Sequence, residues 1–285
     1  MIIVIGIVIV TFCVFGGFVF GGGHLLVLMH PNELLIIGGG GLGALLIMCP
    51  RKVLMNIVKG LKTCMKGAPH DRAAYDDLLK LLYELFLIGR RSGMIALEEH
   101  VLEPQNSSIF KKYPNFLNNA HAVEFLCGSL RPIIDGKIKP DQLRLLLDAE
   151  LDQLEIEYHA PVNVLTRIAD SMPGFGIVAA VLGIIITMAS ISGPVEQIGV
   201  EVAAALVGTF LGILLAYGFL SPLAMNLEFI STAEMDYLRC IAACVIGFAG
   251  GMAPVTAVEL GRRGMSSELK PRSDEMEAMF KSLKN

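Results

Sequence analysis

Charged residues are scarce in this sequence. Asp, Glu, Lys and Arg make up 18% of the 285 residues, whereas 54% are hydrophobic. A soluble globular protein is usually about a quarter charged, so this composition is typical of a membrane protein. The formal net charge of -4 gives no reason to expect a nucleic-acid partner.

Paired cysteines and metal-spaced histidines are also missing. None of the six cysteines belongs to a C-x-x-C pair, and the six histidines are scattered. These residues therefore predict neither a disulfide framework nor a zinc site. No nucleophile lies in a recognisable pattern with a base, which disfavours an enzyme and gives no cofactor to predict.

Four charge-free stretches are long enough to be membrane spans, which need about 20 mostly apolar residues. They are Ile2–Phe20, residues 34–48 with the glycine run 38–41, residues 171–195 and residues 202–227. The first lacks the basic start and the small-residue cleavage pattern of a signal peptide. We therefore predict an all-α membrane protein with four transmembrane helices in two hairpins and a helical cytoplasmic domain between them.

The basic residues predict the orientation of these helices. All 23 Lys and Arg lie within residues 51–170 and 226–285. Basic residues are retained on the cytoplasmic side, so both termini and residues 51–170 are expected there. A fifth charge-free stretch, residues 240–258, would export basic residues if it crossed the membrane. We therefore predict a cytoplasmic or interfacial helix over 233–260.

These limits predict four parts of the chain. In order they are the first transmembrane hairpin, the cytoplasmic domain, the second hairpin and a cytoplasmic helix with a tail: residues 1–50, 51–170, 171–226 and 227–285. Leucines at helical spacing over residues 71–91 and 141–158 predict that the cytoplasmic domain is helical. Residues 104–114, rich in Asn, Ser and Lys, predict a loop.

Small residues follow one face of each helix in the second hairpin. They are Gly176, Ala180, Gly183 and Thr187 in the third span, and Ala205, Thr209, Gly212 and Ala216 in the fourth. Small residues allow close helix packing in lipid, so one interpretation is that the two spans pack on each other. The other is that these faces line a passage or hold a partner helix, with two threonine hydroxyls exposed there. Buried threonines also commonly bond their own backbone.

Carboxylate and basic side chains are absent from all four predicted spans, and Glu196 and Glu201 lie at the outer edge of the second hairpin. Ion pathways in membranes usually contain such groups. If this chain conducts an ion, another chain must supply the carboxylate that binds it.

Two prolines bracket the second hairpin on its predicted cytoplasmic side. Pro173 follows Asp170 and Ser171, which are suited to cap the start of a span. Pro222 is expected to end or kink the fourth span. The functional alternative is that both prolines are joints that pass motion from the membrane to the cytoplasm.

Several of these segments resemble the MotA family of stator subunits, within the MotA/TolQ/ExbB proton-channel superfamily. The fourth span reads A-L-V-G-T-F-L-G-I-L over residues 205–214, followed by Pro222. Met-Pro at 172–173 precedes a glycine-rich span, and His-Pro-Asn-Glu at 30–33 precedes the second span. R-R-S-G-M-I-A-L-E at 90–98 resembles the rotor-facing segment of the family. The resemblance covers nearly the whole chain.

The resemblance implies a function in the flagellar motor. It implies a homo-oligomer, expected to be a pentamer, around a dimer of MotB-type subunits that each carry one span and an ion-binding aspartate. Ion flow past that aspartate in the bacterial inner membrane would turn this ring against the rotor ring protein FliG.

The resemblance also assigns roles to particular residues. The rotor-contacting charges correspond to Arg90 and Glu98, and the coupling prolines to Pro173 and Pro222. The polar residue near the ion path corresponds to Thr209. Sodium-driven relatives carry a further threonine early in the third span; the alanine at position 180 favours protons.

Two other classes share some of these features. An energiser of the TolQ or ExbB type has the paired-span core and a partner with one carboxylate, but should lack the N-terminal hairpin. A secondary transporter would be expected to hold its own polar site at the membrane midplane.

Overall fold

The computed structural model describes residues 2–67, 70–189 and 194–283, which are mostly helical and contain no β-strand. The main helices are α1 (Ile2–Phe20), α2 (Pro31–Met48), α3 (Arg51–Lys66), α4 (Arg72–Arg91), α5 (Met94–Leu102), α6 (Ala120–Ile134), α7 (Pro140–Ala189), α8 (Val195–Ile213), α9 (Ser221–Ala249), α10 (Pro254–Gly264) and α11 (Ser273–Ser282). Short helical turns lie at Leu25–Leu28, Phe110–Lys112 and Pro114–Leu117.

Four helical stretches are long and apolar enough to cross a membrane. They are Ile2–Phe20, Pro31–Met48 and apolar parts of Pro140–Ala189 and Ile198–Ala249. The predicted all-α fold with four transmembrane helices is therefore confirmed. The expected contribution of residues 190–193 to the third span lies outside the described residues.

The second membrane helix begins earlier than the charge-free stretch suggested. Pro31 is its first residue, after His30 in an extended conformation (φ -107°, ψ 106°). Proline is favoured at this position because the first helical N–H has no partner in the helix. The earlier start places Glu33 in the first turn. Helix α2 therefore includes one acidic residue at its start, just before the charge-free stretch.

The third membrane helix does not begin near Pro173. Helix α7 is 50 residues long and passes through Pro161 and Pro173 without a break. Ser171 is not a cap, since its hydroxyl donates to the Ile168 carbonyl oxygen at 2.8 Å. Pro173 has no N–H to donate to the Ala169 carbonyl. The helix still continues, because Ile168, Ala169 and Met172 on this turn are buried.

The fourth membrane helix does not end at Pro222 either. Leu214–Leu220 is a π-helical segment, and Ser221 N–H donates to Ala216 O, five residues earlier. The wider turn precedes a proline that cannot supply the usual bond to the carbonyl four residues before it. Helix α9 then runs to Ala249, so the helix predicted over 233–260 consists of the end of α9 and the separate helix α10.

The described residues form two compact units. The membrane unit comprises residues 2–67, 157–189 and 194–230; the helical unit comprises 70–156 and 231–283. In the membrane unit, buried apolar residues of α2, α7 and the π segment pack together: Ile37, Ile168, Met172, Ala179 and Ala216.

Glycines 40 and 41 explain part of the glycine run in α2. A Cβ atom added at Gly40 would lie 2.8 Å from the Phe175 ring, and one added at Gly41 would lie 2.2 Å from the Met172 methyl group. The run therefore allows α2 to approach α7 closely.

The helical unit is built around α4. Leu78, Leu82 and Phe86 on this helix are fully buried, which confirms the helical spacing predicted over residues 71–91. The Phe86 ring stacks on Phe248 of α9 at 4.4 Å between centroids, and the Tyr83 ring stacks on Phe280 of α11 at 4.2 Å.

Candidate ion-path and rotor-facing sites

The contact between α7 and α8 brings two backbones together. A Cβ atom added at Gly176 would lie 2.8 Å from Gly208 O, and one added at Gly212 would lie 2.7 Å from Met172 O. Farther along, a Cβ atom at Gly183 would lie 3.0 Å from the Ala205 methyl group. These glycines therefore have a packing role between the two helices, as the simpler interpretation of the small-residue faces predicted.

Thr187 is buried in the same helix pair. Its hydroxyl donates to Gly183 O, four residues earlier, at 3.0 Å. Thr11 and Thr166 make the same kind of bond, to Ile7 O and Val162 O. This bonding satisfies the Thr187 hydroxyl through its own helix.

Thr209 differs from these threonines. It is half-buried, and its Cα atom would lie 3.3 Å from a Cβ atom added at Gly176. Within the part of the chain that the structure describes, its hydroxyl makes no hydrogen bond. Ala180, on α7, is half-buried as well. The Thr209 hydroxyl is thus a polar group of α8 left available for another ligand.

The two prolines have different surroundings. Pro173 is half-buried and follows Met172, whose side chain packs on Gly41 and whose carbonyl meets Gly212. Pro222 is exposed and lies directly after the π segment. Pro173 therefore adjoins a close contact between membrane helices, and Pro222 adjoins a segment with irregular helical hydrogen bonding.

Arg90 and Glu98 lie on either side of one tight turn. Helix α4 ends at Arg91, and α5 starts after Gly93, whose φ of +87° favours glycine. Arg90 is exposed, and its Nη1 donates to Gly251 O at 3.3 Å. Glu98 is half-buried. Among the described residues, neither side chain forms an ion pair with an opposite charge, so both charges remain available to a partner.

The Gly251 carbonyl belongs to the turn between α9 and α10. Gly251 has a φ of +78°, and Met252 N–H donates to Gly247 O at 3.2 Å, as in a common helix C-cap. Arg90 therefore also has a local role in holding this cap.

Three buried polar groups were not predicted from the sequence. Arg262 donates to both Glu259 oxygens and to the Pro271 carbonyl oxygen. The His70 ring stacks on Tyr237 at 3.9 Å. Glu33 is the third. The proline at position 31 was the signal for Glu33, because it marks a helix start whose first turn includes position 33.

Outside the membrane helices, hydrogen bonds shift the pKa of the Glu259 carboxyl group, the partner of Arg262. The bonds from Arg262 lower the pKa of Glu259, and burial opposes that effect. The described residues contain no group of three or more His, Cys, Asp or Glu side chains that could hold a metal ion.

Two protein-family models match the sequence of this chain. The N-terminal model of motility protein A matches residues 4–93, and the model of the MotA/TolQ/ExbB proton channel family matches residues 117–239. Together with the four apolar helices, these matches define a helical membrane protein of the proton-channel class.

Individual relatives identify the family within this class. Motility protein A of Salmonella typhimurium is 39% identical over 285 residues, which is all of this chain and 97% of the relative. The Escherichia coli protein of the same name is 38% identical over the same coverage. The solved structure of C. jejuni MotAB superposes with a TM-score of 0.76 at 22% identity, over 93% of this chain and 96% of that one. The chain belongs to the motility protein A family, the stator subunits of the bacterial flagellar motor.

Proposed function

We propose that this chain forms a ring around a single-span MotB-type partner and converts proton flow past the partner's aspartate into torque on the rotor. The observation that supports this most directly is the Thr209 hydroxyl, which makes no hydrogen bond to any residue that the structure describes. The membrane helices have no acidic group at mid-depth, so a partner must supply the proton-binding carboxylate.

Thr209 and Ala180 are the residues of the helix pair that would face the partner. Gly176, Gly183 and Gly212 would act indirectly, by holding α7 and α8 together as one body. Proton coupling fits position 180, because a methyl side chain adds no oxygen ligand for sodium, a cation that prefers oxygen.

Assembly into a ring would cover apolar surface that this chain leaves open. Helix α1 has no buried residue, and Ile177, Ile185 and Met188 of α7 are exposed. Lipid and neighbouring subunits would share these faces. A pentamer around a partner dimer is the assembly we propose.

The orientation we propose follows the distribution of charge. Both termini and residues 51–170 would lie in the cytoplasm, since all 23 basic residues lie on that side of the predicted spans. The protein would then be a multi-pass protein of the inner membrane, with the α4–α5 turn on the side of the rotor.

Arg90 and Glu98 would transmit force electrostatically to the rotor ring protein FliG. Exposed ion pairs are worth only about 0–1 kcal/mol each, so single neutral substitutions at these positions should be mild. Reversal of both charges should be severe, because like charges would then face each other. Restored torque after compensating reversals on the rotor would support direct pairing, whereas full motility of the double reversal at normal expression would contradict it.

Torque in cells that lack their own stators tests the proposal. The chain should restore rotation only when expressed with a partner, and replacement of the partner aspartate by asparagine should abolish torque but not co-purification. Rotation should persist without sodium and stop with a protonophore. Rotation without any partner, or loss of rotation on sodium removal at constant pH, would contradict the proposal.

A further inference from the structure

Helix α3 carries charges of one sign only. Its sequence contains five Lys and Arg residues and no Asp or Glu. Lys52 is paired with Glu157 of α7, at 2.8 Å between Nζ and Oε2. Arg51, Lys59 and Lys62 are exposed and form no ion pair with any residue that the structure describes. Three cations of this helix are therefore left without a carboxylate of the chain to neutralise them.

One face of α3 packs within the membrane unit. Ile57 and Cys64 on this face are buried, and Cys64 belongs to an apolar cluster with Val162 of α7. A Cβ atom added at Gly60 would lie 2.5 Å from the Leu227 side chain of α9. These contacts fix the rotation of α3 about its own axis, so its remaining surface has a defined direction.

The surface away from this packing is both basic and apolar. A stripe of side chains follows it at spacings of four, four and three residues, which places them on one side of a helix: Arg51, Met55, Lys59 and Lys62. Val58 and Met65 lie between the stripe and the packed face. Met55, Val58 and Met65 are 57%, 49% and 60% exposed. A helix with such a surface is typical of the boundary between lipid headgroups and acyl chains.

The connection to α2 places α3 at this boundary. Helix α2, one of the four membrane helices, ends at Met48, and only Cys49 and Pro50 separate it from Arg51. Three residue steps cover at most about 11 Å even when fully extended. The headgroup region on each side of a bilayer is about 5–8 Å thick. Helix α3 therefore starts in or directly beside the headgroups of the leaflet in which α2 ends.

We propose that this surface of α3 binds anionic phospholipid headgroups. The phosphate oxygens accept hydrogen bonds from Arg51, Lys59 and Lys62, while Val58 and Met65 contact the acyl-chain boundary. A headgroup with a net negative charge is preferred, because the positive group of a zwitterionic lipid offsets its phosphate. The inference depends on the membrane helices and not on torque generation, so it stands or falls separately from the proposed function.

The absence of tryptophan from the sequence makes a local test possible. A single inserted indole reports only its own surroundings, so Met55→Trp places a probe within the basic stripe. The full chain is reconstituted in vesicles of phosphatidylcholine and phosphatidylglycerol, with one lipid or the other brominated on its acyl chains, and bromine quenches indole fluorescence on contact. Each basic residue strengthens attraction to an anionic surface about five-fold, so brominated phosphatidylglycerol should quench about two-fold or more above brominated phosphatidylcholine at equal fractions.

A probe at the other end of α2 provides the matched control. Met29 is exposed just before the start of that helix, and residues 2–50 contain no Lys or Arg. Met29→Trp should therefore be quenched equally by the two lipids.

Substitution of the three cations tests their role. With Arg51→Gln, Lys59→Gln and Lys62→Gln together, the excess quenching at residue 55 by brominated phosphatidylglycerol should disappear. Quenching by brominated phosphatidylcholine should remain, because the apolar contact is intact, and this shows that α3 still lies at the membrane. Lys59→Arg with Lys62→Arg keeps the charge and should keep the excess.

Three results would overturn the proposal. Absence of quenching at residue 55 by both lipids would show that protein, such as a second copy of the chain, covers this surface. Equal quenching by the two lipids would show contact with the membrane without preference for negative charge. An excess that survives the triple glutamine substitution would assign the preference to other residues.

Discussion

At the scale of single residues, two threonine hydroxyls in equivalent sequence positions have different surroundings. The sequence placed Thr187 and Thr209 on equivalent small-residue faces. In the structure the Thr187 hydroxyl bonds Gly183 O, whereas the Thr209 hydroxyl has no such bond among the described residues. The difference depends on side-chain rotamers and on the neighbouring helix, which residue spacing does not specify.

Thr209→Val tests whether the free hydroxyl is used. Valine keeps the shape of threonine and removes only the polar group, so the partner should still co-purify while torque per stator falls severalfold. Thr187→Val is the matched control and should keep near-normal torque. Stator-by-stator torque in tethered cells is the measurement. Equal effects of the two substitutions would show that a general loss of hydroxyls, rather than the Thr209 site, matters.

Gly176→Ala should disrupt the α7–α8 contact. The added methyl group would meet Gly208 O at 2.8 Å, and overpacking of this kind costs about 1–3 kcal/mol. Gly174→Ala is the control, because nothing lies within 4 Å of a Cβ atom there. Thermal unfolding in detergent should show a lower midpoint for Gly176→Ala only. A midpoint equal to that of the control would contradict the contact.

At the scale of helices, the sequence predicted where apolar segments lie better than where helices end. Charge-free runs located all four membrane helices, since burial in lipid requires them. Pro173 was interpreted as the start of a helix and Pro222 as an end or a kink, yet the helix continues past Pro173 and past Pro222. A proline costs an isolated helix about 3 kcal/mol, and tertiary packing offsets that penalty here. The π segment at Leu214–Leu220 has no sequence signature of its own.

Pro173→Ala tests the coupling role within this continuous helix. Alanine restores the N–H that can bond Ala169 O, so α7 should become stiffer at this turn. The complex should assemble, and torque should fall. Ala180→Leu is the comparison, since a bulky side chain there should block partner docking. If Pro173→Ala prevents co-purification as thoroughly as Ala180→Leu does, the proline is structural and the coupling idea is wrong.

The hydrogen bonds of Arg262 with Glu259 and with the Pro271 carbonyl oxygen should make the α10–α11 region sensitive to acid. Hydrogen bonds from Arg262 lower the pKa of Glu259, so protonation occurs more easily in the unfolded chain than in the folded one. The stabilisation is present above the usual glutamate pKa of about 4.3 and is lost as pH falls through the lower folded value. Hydrogen exchange of residues 265–282 should rise over that window.

Glu259→Gln provides the control for this prediction. Glutamine cannot form the charged pair, so protection should already be lower at neutral pH and should change less on acidification. An identical pH profile in both proteins would assign the acid sensitivity to other carboxylates.

At the scale of the whole molecule, composition and charge indicated the class of protein, and a long motif indicated the family. The two compact units were not predicted, because residues distant in sequence join each of them. Residues 51–67, for example, belong to the membrane unit, although their lysines and arginines suggested a cytoplasmic domain. Leu227 lies close to Gly60 in that unit, a contact that no local pattern encodes.

Cysteine labelling tests the proposed topology. In a cysteine-free background, Met29→Cys should react with an impermeant reagent in intact cells, because Met29 is exposed in the short connection between α1 and α2. Ala278→Cys, also exposed, should react only after the cells are opened. External labelling at residue 278 would place the C-terminus outside and require a fifth crossing.

The lengths of the first two membrane helices also determine which bilayer thickness suits this protein. With 19 and 18 residues and a rise of about 1.5 Å per residue, each spans only about 27–29 Å. That length is slightly below a typical hydrocarbon thickness of about 30 Å. Neither helix has residues to spare, so thicker membranes should create hydrophobic mismatch at this pair first. Lipids with long acyl chains should therefore destabilise the protein, and shorter chains should suit it better.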